Sequence, residues 1–448
     1  MKPNADFPLT LEAVTDFRQE FAHDKANTVA LNAITQGEVN TLALNHQILA
    51  QYPLTFSEEI SSGNLTNQKD TNRCWTFAAL NFMRQKTIKK LSLNTFEFSQ
   101  SYIMFYDKLE RCNYFLENIL GTLDRDTHSR LLTWLLADPM DDAGQWDMFV
   151  TVVEKYGVVP KEVYPESVSS SATKMMNSHL NEKLREYAWE LRAAYSNGAN
   201  IESLRTRKND MLRVMYRVLS IHNGVPPERF HWSYRDKDNG FHTTETPVTP
   251  QEFYRQYAGV DLQDYVSLIS CPTEDKPYNN HYTVGFLGNI VGGKKISYLN
   301  VDISTMKQLA LNTLKTGEAV WFGCDVAKHY ARREGILHSS AYQMDLLYSD
   351  LFKMDKAARV SYGHSQMTHA MLFTGVHEEQ GKPTRWKVED SFGTANNNKG
   401  FLVMSDCWFD EYVFQVVLPK AQIPENLLAL LDAVPIVLNP WDPMGALA

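Results

Sequence analysis

The sequence predicts an α+β fold in which a helical lobe precedes an antiparallel β lobe, with a helical insertion between them and an arm at the C-terminus. Apolar residues recur at helical spacing between residues 74 and 157. Strand-like apolar runs divided by turns follow residue 319. Between these regions, residues 167–285 change in composition, with a serine-rich start and long charged helical stretches.

Five segments follow from these changes in pattern. The 448-residue chain is long enough for two or three domains and a large apolar core. Prolines and small residues near its end favour an extended arm over a helix. The segments are an N-terminal helical extension (1–60), a helical lobe (61–166), an inserted, mostly helical subdomain (167–285), a β-rich lobe (286–434) and a C-terminal arm (435–448).

Three helices are predicted in the helical lobe. The first starts at Cys74 and carries basic residues near its end, where cations suit the helix dipole. In the second, apolar residues recur at steps of three and four from Phe98, so Cys112 is predicted to be a core thiol. The third ends at Gly157, since glycine readily takes the left-handed conformation that follows a helix.

The β-rich lobe is predicted from short apolar runs bounded by turn residues. Residues 303–314 have a helical pattern, and the apolar run 319–324 indicates a buried strand. Four further runs, divided by turns, predict an antiparallel sheet. These runs are residues 371–376, 385–389, 400–404 and 411–417.

Composition and charge exclude several classes of protein. A net charge of −9 disfavours nucleic acid or an anionic membrane as the main partner. The five cysteines are widely spaced and odd in number, which predicts neither a disulfide framework nor a zinc ribbon. The sequence shows no signal peptide and no run of eighteen apolar residues, so a cytoplasmic location without membrane attachment is expected.

A turn-prone polar run ends at Cys74, where the first predicted helix begins. A thiol at a helix N-terminus lies at the positive end of the dipole, which favours the nucleophilic thiolate. Gln68, six positions earlier, carries an amide that can donate hydrogen bonds. A nucleophile with a nearby donor for an oxyanion is the minimum requirement for acyl transfer.

Cys74 requires a base, and the sequence contains thirteen histidines. His369 directly precedes a predicted strand, and Asp390 follows the next strand along the chain. Adjacent antiparallel strands can place these residues side by side, so that Asp390 accepts the ring N–H of His369 and fixes its tautomer. His364 and His377 are the nearest alternatives, and spacing alone does not decide among the three histidines.

These residues resemble the papain-like cysteine peptidases, in the branch of bleomycin hydrolase and aminopeptidase C. The resemblance covers most of the chain. In papain-type enzymes the histidine lies roughly 130–150 residues after the cysteine, and the inserted segment accounts for the larger separation here. The matching motifs are residues 67–69 with 73–75, 144–149, 154–160, 317–326, 368–371 and 441–448.

The resemblance implies a papain-like two-lobed fold and a role for each matching position. Cys74 would be the nucleophile, His369 the general base, and Gln68 the donor to the oxyanion. Asp390 would stand where the family has the residue that orients the histidine. Gly144 would line the cleft and let the substrate backbone approach.

The resemblance also implies a role for the C-terminal arm. In this family the arm lies in the active-site cleft, where the carboxylate of the last residue, here Ala448, would pair with the free α-amino group of a peptide substrate. The family assembles as a homohexamer with active sites facing an inner chamber, and the inserted subdomain would serve this oligomerisation. No cofactor or metal is implied.

Three positions depart from the family pattern: Asp390 replaces asparagine, Phe392 replaces tryptophan, and Asn72 replaces a common glycine. An aspartate favours the imidazolium and hence a thiolate–imidazolium pair, but a more basic histidine donates its proton less readily to the leaving amine. Asp390 therefore either retunes or impairs catalysis. Phe392 can still shield the polar pair, and asparagine tolerates a left-handed backbone.

Three functions remain open from the sequence. The first is an aminopeptidase that releases N-terminal residues from oligopeptides. The second is an endopeptidase of the same family in which the arm leaves the cleft open. The third is a non-catalytic oligomer that binds peptide or nucleic acid, which the acidic charge and the presence of Cys74, His369 and Gln68 disfavour.

Overall fold

The structure is a computed structural model that describes residues 7–447 except 62, 349, 351, 395 and 397. Its N-terminal part contains α1 (Leu11–His23), α2 (Lys25–Ile34), α3 (Val39–Ala43), α4 (His46–Leu49) and β1 (Glu58–Glu59). Thr10, Asp24 and Asn45 cap three of these helices by accepting a hydrogen bond from the first turn. Every residue of α1 and α2 is described and none is buried, so this extension lies on the surface of the chain.

Four helices form the helical lobe: α5 (Cys74–Leu91), α6 (Gln100–Leu120), α7 (Arg130–Ala137) and α8 (Trp146–Tyr156). The helical face predicted for the second of them is confirmed, because the apolar residues of α6 are mostly buried and Cys112 is fully enclosed. Helix α8 ends at Gly157, whose φ of 72° is left-handed, as the sequence predicted. The local sequence pattern therefore predicted the buried face of α6 and the end of α8 correctly.

The inserted segment contains α9 (Val168–Ser171), α10 (Lys174–Ser196), α11 (Ile201–Asn223), α12 (Pro250–Phe253) and a hairpin of β2 (Ser233–Arg235) and β3 (Phe241–Thr243). Leu184 of α10 and Met215 of α11 are buried in one apolar cluster with Cys112 of α6. The insertion therefore shares a core with the helical lobe.

The second half of the chain forms most of a twelve-stranded sheet. Its strands run in the order β14-β5-β6-β4-β13-β7-β10-β11-β12-β9-β8, and β1 pairs with β10. The new strands are β4 (Tyr265–Ile269), β5 (Asn280–Val284), β6 (Tyr298–Asn300), β7 (Val320–Cys324), β8 (Tyr330–Ala331), β9 (Ile336–Leu337), β10 (His369–Glu379), β11 (Lys382–Glu389), β12 (Phe401–Ser405), β13 (Val413–Pro419) and β14 (Ile436–Leu438).

The sheet is mixed, but the strands that the sequence predicted pair antiparallel with one another, as expected. The central pairs β7–β10, β10–β11 and β11–β12 are antiparallel, whereas β4–β6, β5–β14 and β9–β12 are parallel. Parallel neighbours are joined by long connections, and apolar runs carry no information on direction. The helices around the sheet are α13 (Ile303–Lys315), α14 (Met344–Tyr348), α15 (Lys356–Ser361), α16 (Asp406–Tyr412) and α17 (Glu425–Leu428).

Two predicted boundaries differ from the observed elements. The sheet begins with β4 and β5, which lie inside the segment 167–285 assigned to the insertion. The strand predicted over residues 411–417 begins at Val413, because the two residues before it complete α16. Helix α16 itself is capped by the Ser405 side chain, which accepts from the Trp408 N–H.

The C-terminal arm is fixed to the body of the protein by three kinds of contact. Strand β14 pairs in parallel with β5 at the edge of the sheet. The Asp442 carboxylate forms an ion pair of 3.1 Å with Lys276, whose side chain is almost fully buried. The Arg130 guanidinium lies 3.9 Å from the centre of the Trp441 ring. The arm is extended as predicted, apart from one 3₁₀ turn at Pro443–Gly445.

Helix α5 lies between the two lobes. The Trp321 indole of β7 donates a hydrogen bond of 3.2 Å to the Trp75 carbonyl. Farther along the helix, Arg84 forms a buried ion pair of 2.5 Å with Glu389 at the end of β11. These contacts fix the start of α5 relative to the central strands. Within the described residues, every helix is too short or too polar to span a lipid bilayer.

Candidate active site

Cys74 is the first residue of α5, as predicted, and it is buried. Arg73 precedes it and makes no side-chain cap on the helix. Its guanidinium instead forms two hydrogen bonds of 3.1 Å with the Glu166 carboxylate. Arg73 is 2% exposed, so this bidentate pair is shielded from water. The chain leading into the candidate nucleophile is thus held by side chains from another segment.

Asp142 holds the turn before α5 through hydrogen bonds. Its carboxylate accepts hydrogen bonds from the Lys108 ammonium at 2.5 Å, the Asn177 amide at 2.8 Å and the Asn72 backbone N–H at 3.4 Å. Its backbone carbonyl accepts from the Trp75 indole at 2.6 Å. Burial alone would raise the pKa of Asp142, but Lys108 and the hydrogen bonds hold that pKa well below its usual range. The carboxylate therefore stays charged.

His369 begins β10 and Asp390 follows β11, so these paired strands bring the two residues together. His369 Nε2 lies 2.9 Å from Asp390 Oδ1, and both side chains are buried. Neither alternative histidine occupies this position. His377 lies farther along β10, and His364 lines a separate cavity.

His369 is arranged to carry a proton. Burial opposes the charged ring, but the charges of Cys74 and Asp390 and hydrogen bonds with both outweigh it and raise the pKa of His369 to about 10. Because Nε2 faces Asp390, Nδ1 is left for Cys74. The His369 ring therefore favours its imidazolium form.

The other two departures from the family pattern are also visible. The Phe392 ring lies nearly parallel to the His369 ring, with 5.6 Å between the ring centres and 16° between the planes. Phe392 is 39% exposed, so its ring separates the histidine from solvent. Among the described residues of the turn before α5, Lys69 has a left-handed backbone, with φ 58°, and Asn72 does not. The expectation for Asn72 was therefore wrong.

Gln68 joins the turn before α5 to the segment after β11. Its backbone N–H donates to the Ser391 carbonyl at 2.7 Å, and its Oε1 accepts from the Ser391 hydroxyl at 2.6 Å. Its Nε2 donates to the Thr71 carbonyl at 2.5 Å. A primary amide carries two N–H hydrogens, so the second is left for an oxyanion.

Gly144 is buried against the nucleophile's neighbour. A Cβ atom added to Gly144 would lie 2.5 Å from the Trp75 ring. Side chains do not approach so closely, so this packing accounts for the glycine. The Trp75 ring therefore requires a glycine here, and the prediction that Gly144 also lets a substrate backbone approach stays a prediction.

The C-terminal arm reaches the residue that follows Gly144. Gln145 is fully buried, and its Nε2 donates a hydrogen bond of 2.7 Å to the Ala446 carbonyl. Leu447 packs on the same apolar cluster that contains Cys74 and Trp75. The arm therefore ends close to the segment behind the candidate nucleophile. Ala448, the predicted substrate anchor, lies outside the described residues.

A model of the Peptidase C1-like family matches residues 8–445, nearly the whole chain. This chain belongs to the Peptidase C1-like family. The peptidase is 43% identical to the aminopeptidase C of Lactobacillus delbrueckii subsp. lactis over 443 residues, which cover 98% of each chain. It is 42% identical to the bleomycin hydrolase of Gallus gallus over 450 residues, which cover 98% of this chain and 99% of the other.

A solved structure has the same architecture. The crystal structure of PepW from Lactobacillus rhamnosis HN001 superimposes with a TM-score of 0.97 at 44% identity and covers all of both chains. The α+β, papain-like fold predicted from the sequence is confirmed, and so is the family resemblance. The chain is a cysteine peptidase.

The sequence did not predict the contacts of two groups around the site. Asp142 was part of a recognised turn, but nothing local showed that Lys108 and Asn72 bind to it. Ser391 follows Asp390 and gave no signal of its bond to Gln68, which is 323 positions away. All of these contacts join distant parts of the chain, so a single sequence does not show them.

Proposed function

We propose that this cysteine peptidase is an aminopeptidase that releases N-terminal residues from oligopeptides through an acyl-enzyme on Cys74. The relatives named aminopeptidase C, which match over the full chain, support this activity. The observation that carries the proposal is the hydrogen bond from Gln145 to the Ala446 carbonyl, which holds the arm beside the segment that packs on Trp75. An arm in this place leaves little room for substrate residues before the scissile bond.

In the proposed acylation step, the Cys74 thiolate attacks the first peptide carbonyl. The developing oxyanion accepts hydrogen bonds from the free N–H of the Gln68 amide and from the Cys74 backbone N–H. His369 then donates its proton to the leaving amine, and the C–N bond breaks. The N-terminal residue remains on the sulfur as a thioester.

In the proposed deacylation step, water attacks the thioester. His369, now neutral, accepts the proton of that water, and the C–S bond breaks to release the amino acid and restore the thiolate. Asp390 keeps the ring oriented throughout, because its Oδ1 stays within hydrogen-bond distance of Nε2. The ring therefore serves as acid and then as base without turning.

We propose further that the carboxylate of Ala448 pairs with the substrate's α-ammonium group. The anchored arm supports this, since Asp442, Ala446 and Leu447 are each held by the body of the protein. An ion pair in a partly buried cleft favours a free N-terminus over a blocked one, because an N-acetylated peptide has no charge to offer. The substrate class would then be peptides with a free α-amine.

The test removes residues 446–448 and leaves β14 and the Asp442 ion pair intact. We expect the truncated enzyme to cleave an aminoacyl chromogenic substrate at least tenfold more slowly and to gain activity on an N-acetylated peptide of the same sequence. Gln145→Ala in the full chain should shift activity in the same direction, to a smaller extent. Cys74→Ala is the control and should abolish both activities.

The alternative is an endopeptidase, in which the arm does not limit substrate length. If the intact enzyme cleaves the N-acetylated peptide as fast as the free one, and truncation changes neither rate, the aminopeptidase proposal fails. If Cys74→Ala keeps its activity, the nucleophile is wrong as well. The divergence at Asp390 and Phe392 is the observation that keeps this alternative open.

The proposal also covers the location, the assembly and the partners of the enzyme. The enzyme would act on peptides in the cytoplasm, as a homohexamer, and without nucleic acid as its partner. The acidic net charge of −9 supports the last point. Large apolar side chains on the surface support an assembly, among them Leu11 of α1, 87% exposed, and Trp189 of the insertion, 69% exposed.

A further inference from the structure

A second cysteine–histidine pair lies outside the site described above. Cys407, near the start of α16, is exposed, whereas Cys74, Cys112, Cys271 and Cys324 are buried. Its sulfur lies 3.7 Å from Nε2 of His338, which follows β9. The two residues are 69 positions apart in the sequence, and the parallel pairing of β9 with β12 brings them together.

Three hydrogen-bond donors converge on the Cys407 sulfur. The Ser339 hydroxyl donates to it at 3.0 Å. The Ser405 hydroxyl lies 3.2 Å away, and its oxygen already accepts from the Trp408 N–H, so its hydrogen is free for the sulfur. His338 supplies the third donor. A sulfur surrounded by donors is a site that stabilises negative charge.

The tautomer of His338 follows from its other ring nitrogen. The Ser340 backbone N–H donates to Nδ1 at 3.0 Å, so Nδ1 acts as an acceptor. A neutral imidazole then carries its hydrogen on Nε2, directed at Cys407. His338 is therefore arranged as a neutral donor to a thiolate, in contrast to His369, which is arranged to hold a second proton.

The surroundings of Cys407 agree with this arrangement. Burial raises the pKa of the thiol, but hydrogen bonds from His338, Ser339 and Ser405 outweigh burial and lower the pKa of Cys407 to about 6. Tyr52 packs edge-on against the His338 ring, with 5.1 Å between ring centres. A cavity of about 860 Å³ opens beside the sulfur, large enough for a small organic molecule.

We propose that Cys407 is a second nucleophilic thiol of this protein and a site of thiol–disulfide exchange with small disulfides. The Cys407 thiolate attacks one sulfur of the disulfide R–S–S–R. A new S–S bond joins Cys407 to one R–S group, and the old S–S bond breaks. The electron pair leaves on the other R–S⁻ group, which takes a proton from water.

The exchange site is separate from the candidate active site. In the β11–β12 register, Arg385 faces Ser405 and Glu389 faces Phe401. Asp390 therefore lies beyond one end of this strand pair and Cys407 beyond the other. The two ends are four residues apart, which corresponds to roughly 13 Å at about 3.3 Å per residue. We expect Cys407→Ser to leave peptidase activity unchanged, which makes activity a control for correct folding.

The experiment measures the reaction of the full-length Cys74→Ala protein with hydroxyethyl disulfide by intact mass spectrometry. We expect one modified thiol per chain, and none after Cys407→Ser is added. The reference thiol is Ser196→Cys in a chain lacking Cys74 and Cys407, because Ser196 is exposed and its hydroxyl contacts only the Arg192 carbonyl.

The pH dependence of the reaction rate distinguishes a stabilised thiolate from a thiol that reacts only because it is exposed. At pH 6 about half of Cys407 would be thiolate, against under ~1% of an ordinary thiol with a pKa of about 8.5. The lower nucleophilicity of an acidic thiolate offsets part of this gain, which leaves roughly a tenfold faster reaction. Tyr52 and Tyr412 also interact electrostatically with this thiol. The charged side chains that share its cavity include Lys328, Asp355, Arg359, Asp410 and Glu411.

His338→Phe and Ser339→Ala should each slow the reaction at pH 6 and move its midpoint to higher pH, with His338→Phe the stronger. A rate for Cys407 at pH 6 that equals that of the Ser196→Cys reference would overturn the proposal. An unchanged midpoint in both donor variants, measured in the Cys74→Ala protein, would overturn it as well. The same two substitutions in a chain with Cys74 intact should leave peptidase activity unchanged, which checks their folding.

Discussion

At the scale of single residues, Asp390 raises the proton affinity of His369, the candidate base. An asparagine in its place would accept the same hydrogen bond without a negative charge. The carboxylate adds to the effect of Cys74 in raising the pKa of His369 to about 10. The imidazolium is therefore retained far into the alkaline range, but its proton is held more tightly when the leaving amine needs it.

We predict that Asp390→Asn moves the alkaline limb of the kcat/KM profile to lower pH, because the histidine loses its proton below pH 10. At neutral pH the rate should rise, within about tenfold, since a less basic imidazolium donates more readily. The profile would be measured on an aminoacyl chromogenic substrate. Asp390→Ala serves as the control and should lose activity, since it cannot orient the ring. An alkaline limb that stays in place in Asp390→Asn would contradict this account.

The residue scale also shows where sequence reasoning succeeded. Cys74 was recognised from its place at the start of a helix. His369 and Asp390 were candidates from strands that follow each other in the chain, and the family resemblance decided among the histidines. These are local signals, and the structure brings the three residues together. Cys407 gave no such signal, because its donors come from a segment about seventy positions earlier and from the turn before α16.

At the scale of elements, α5 is tied to the sheet by a buried charge pair. Arg84 and Glu389 have side chains that are 1% and 0% exposed, and the pair lies one residue before Asp390. Arg84 also donates to the Asn64 carbonyl at 2.5 Å. The pair therefore connects the helix of the nucleophile to the strand that orients the base.

We predict that Arg84→Met lowers the free energy of unfolding by about 3–5 kcal/mol, because it leaves the Glu389 carboxylate buried without this cation. The double variant Arg84→Met with Glu389→Gln should lose less than the sum of the two single variants. Chemical denaturation of all four proteins measures the coupling. Additive losses would show that the pair does not act as a unit.

Elements were predicted best where they depend on neighbouring residues. Periodicity located α6, and Gly157 located the end of α8. The mixed direction of the sheet was missed because β9 and β12 meet only after a long connection. The glycine at position 144 was singled out, but its packing against Trp75 was not predicted, since the Trp75 ring is far away in the sequence.

At the scale of the whole molecule, the insertion is both a part of the core and a source of exposed apolar surface. Its helices α10 and α11 pack on α6, while Trp189 and Ile221 are 69% and 76% exposed. The insertion is therefore integrated into the helical lobe on one side and free to contact another subunit on the other. This arrangement agrees with the proposed role in oligomerisation.

We predict a particle of about six times the chain mass of 51.3 kDa in sedimentation velocity. Trp189→Glu should shift the distribution toward smaller species, because it places a charge in an apolar contact. The matched control is Glu182→Gln on the same helix, which should leave the distribution unchanged. A single-chain mass for the unmodified protein would refute the proposed hexamer.

The anchored arm has a practical consequence for how the protein is handled. A purification tag added after Ala448 would begin three positions after the carbonyl that Gln145 binds, where the arm meets the helical lobe. We expect such a fusion to displace the carboxylate that we propose pairs with the substrate's α-ammonium group, and so to weaken the preference for a free N-terminus. The opposite end offers a safer site, since Phe7 is 88% exposed and precedes helices with no buried residues among those described. Protein prepared for kinetics should therefore carry its tag at the N-terminus.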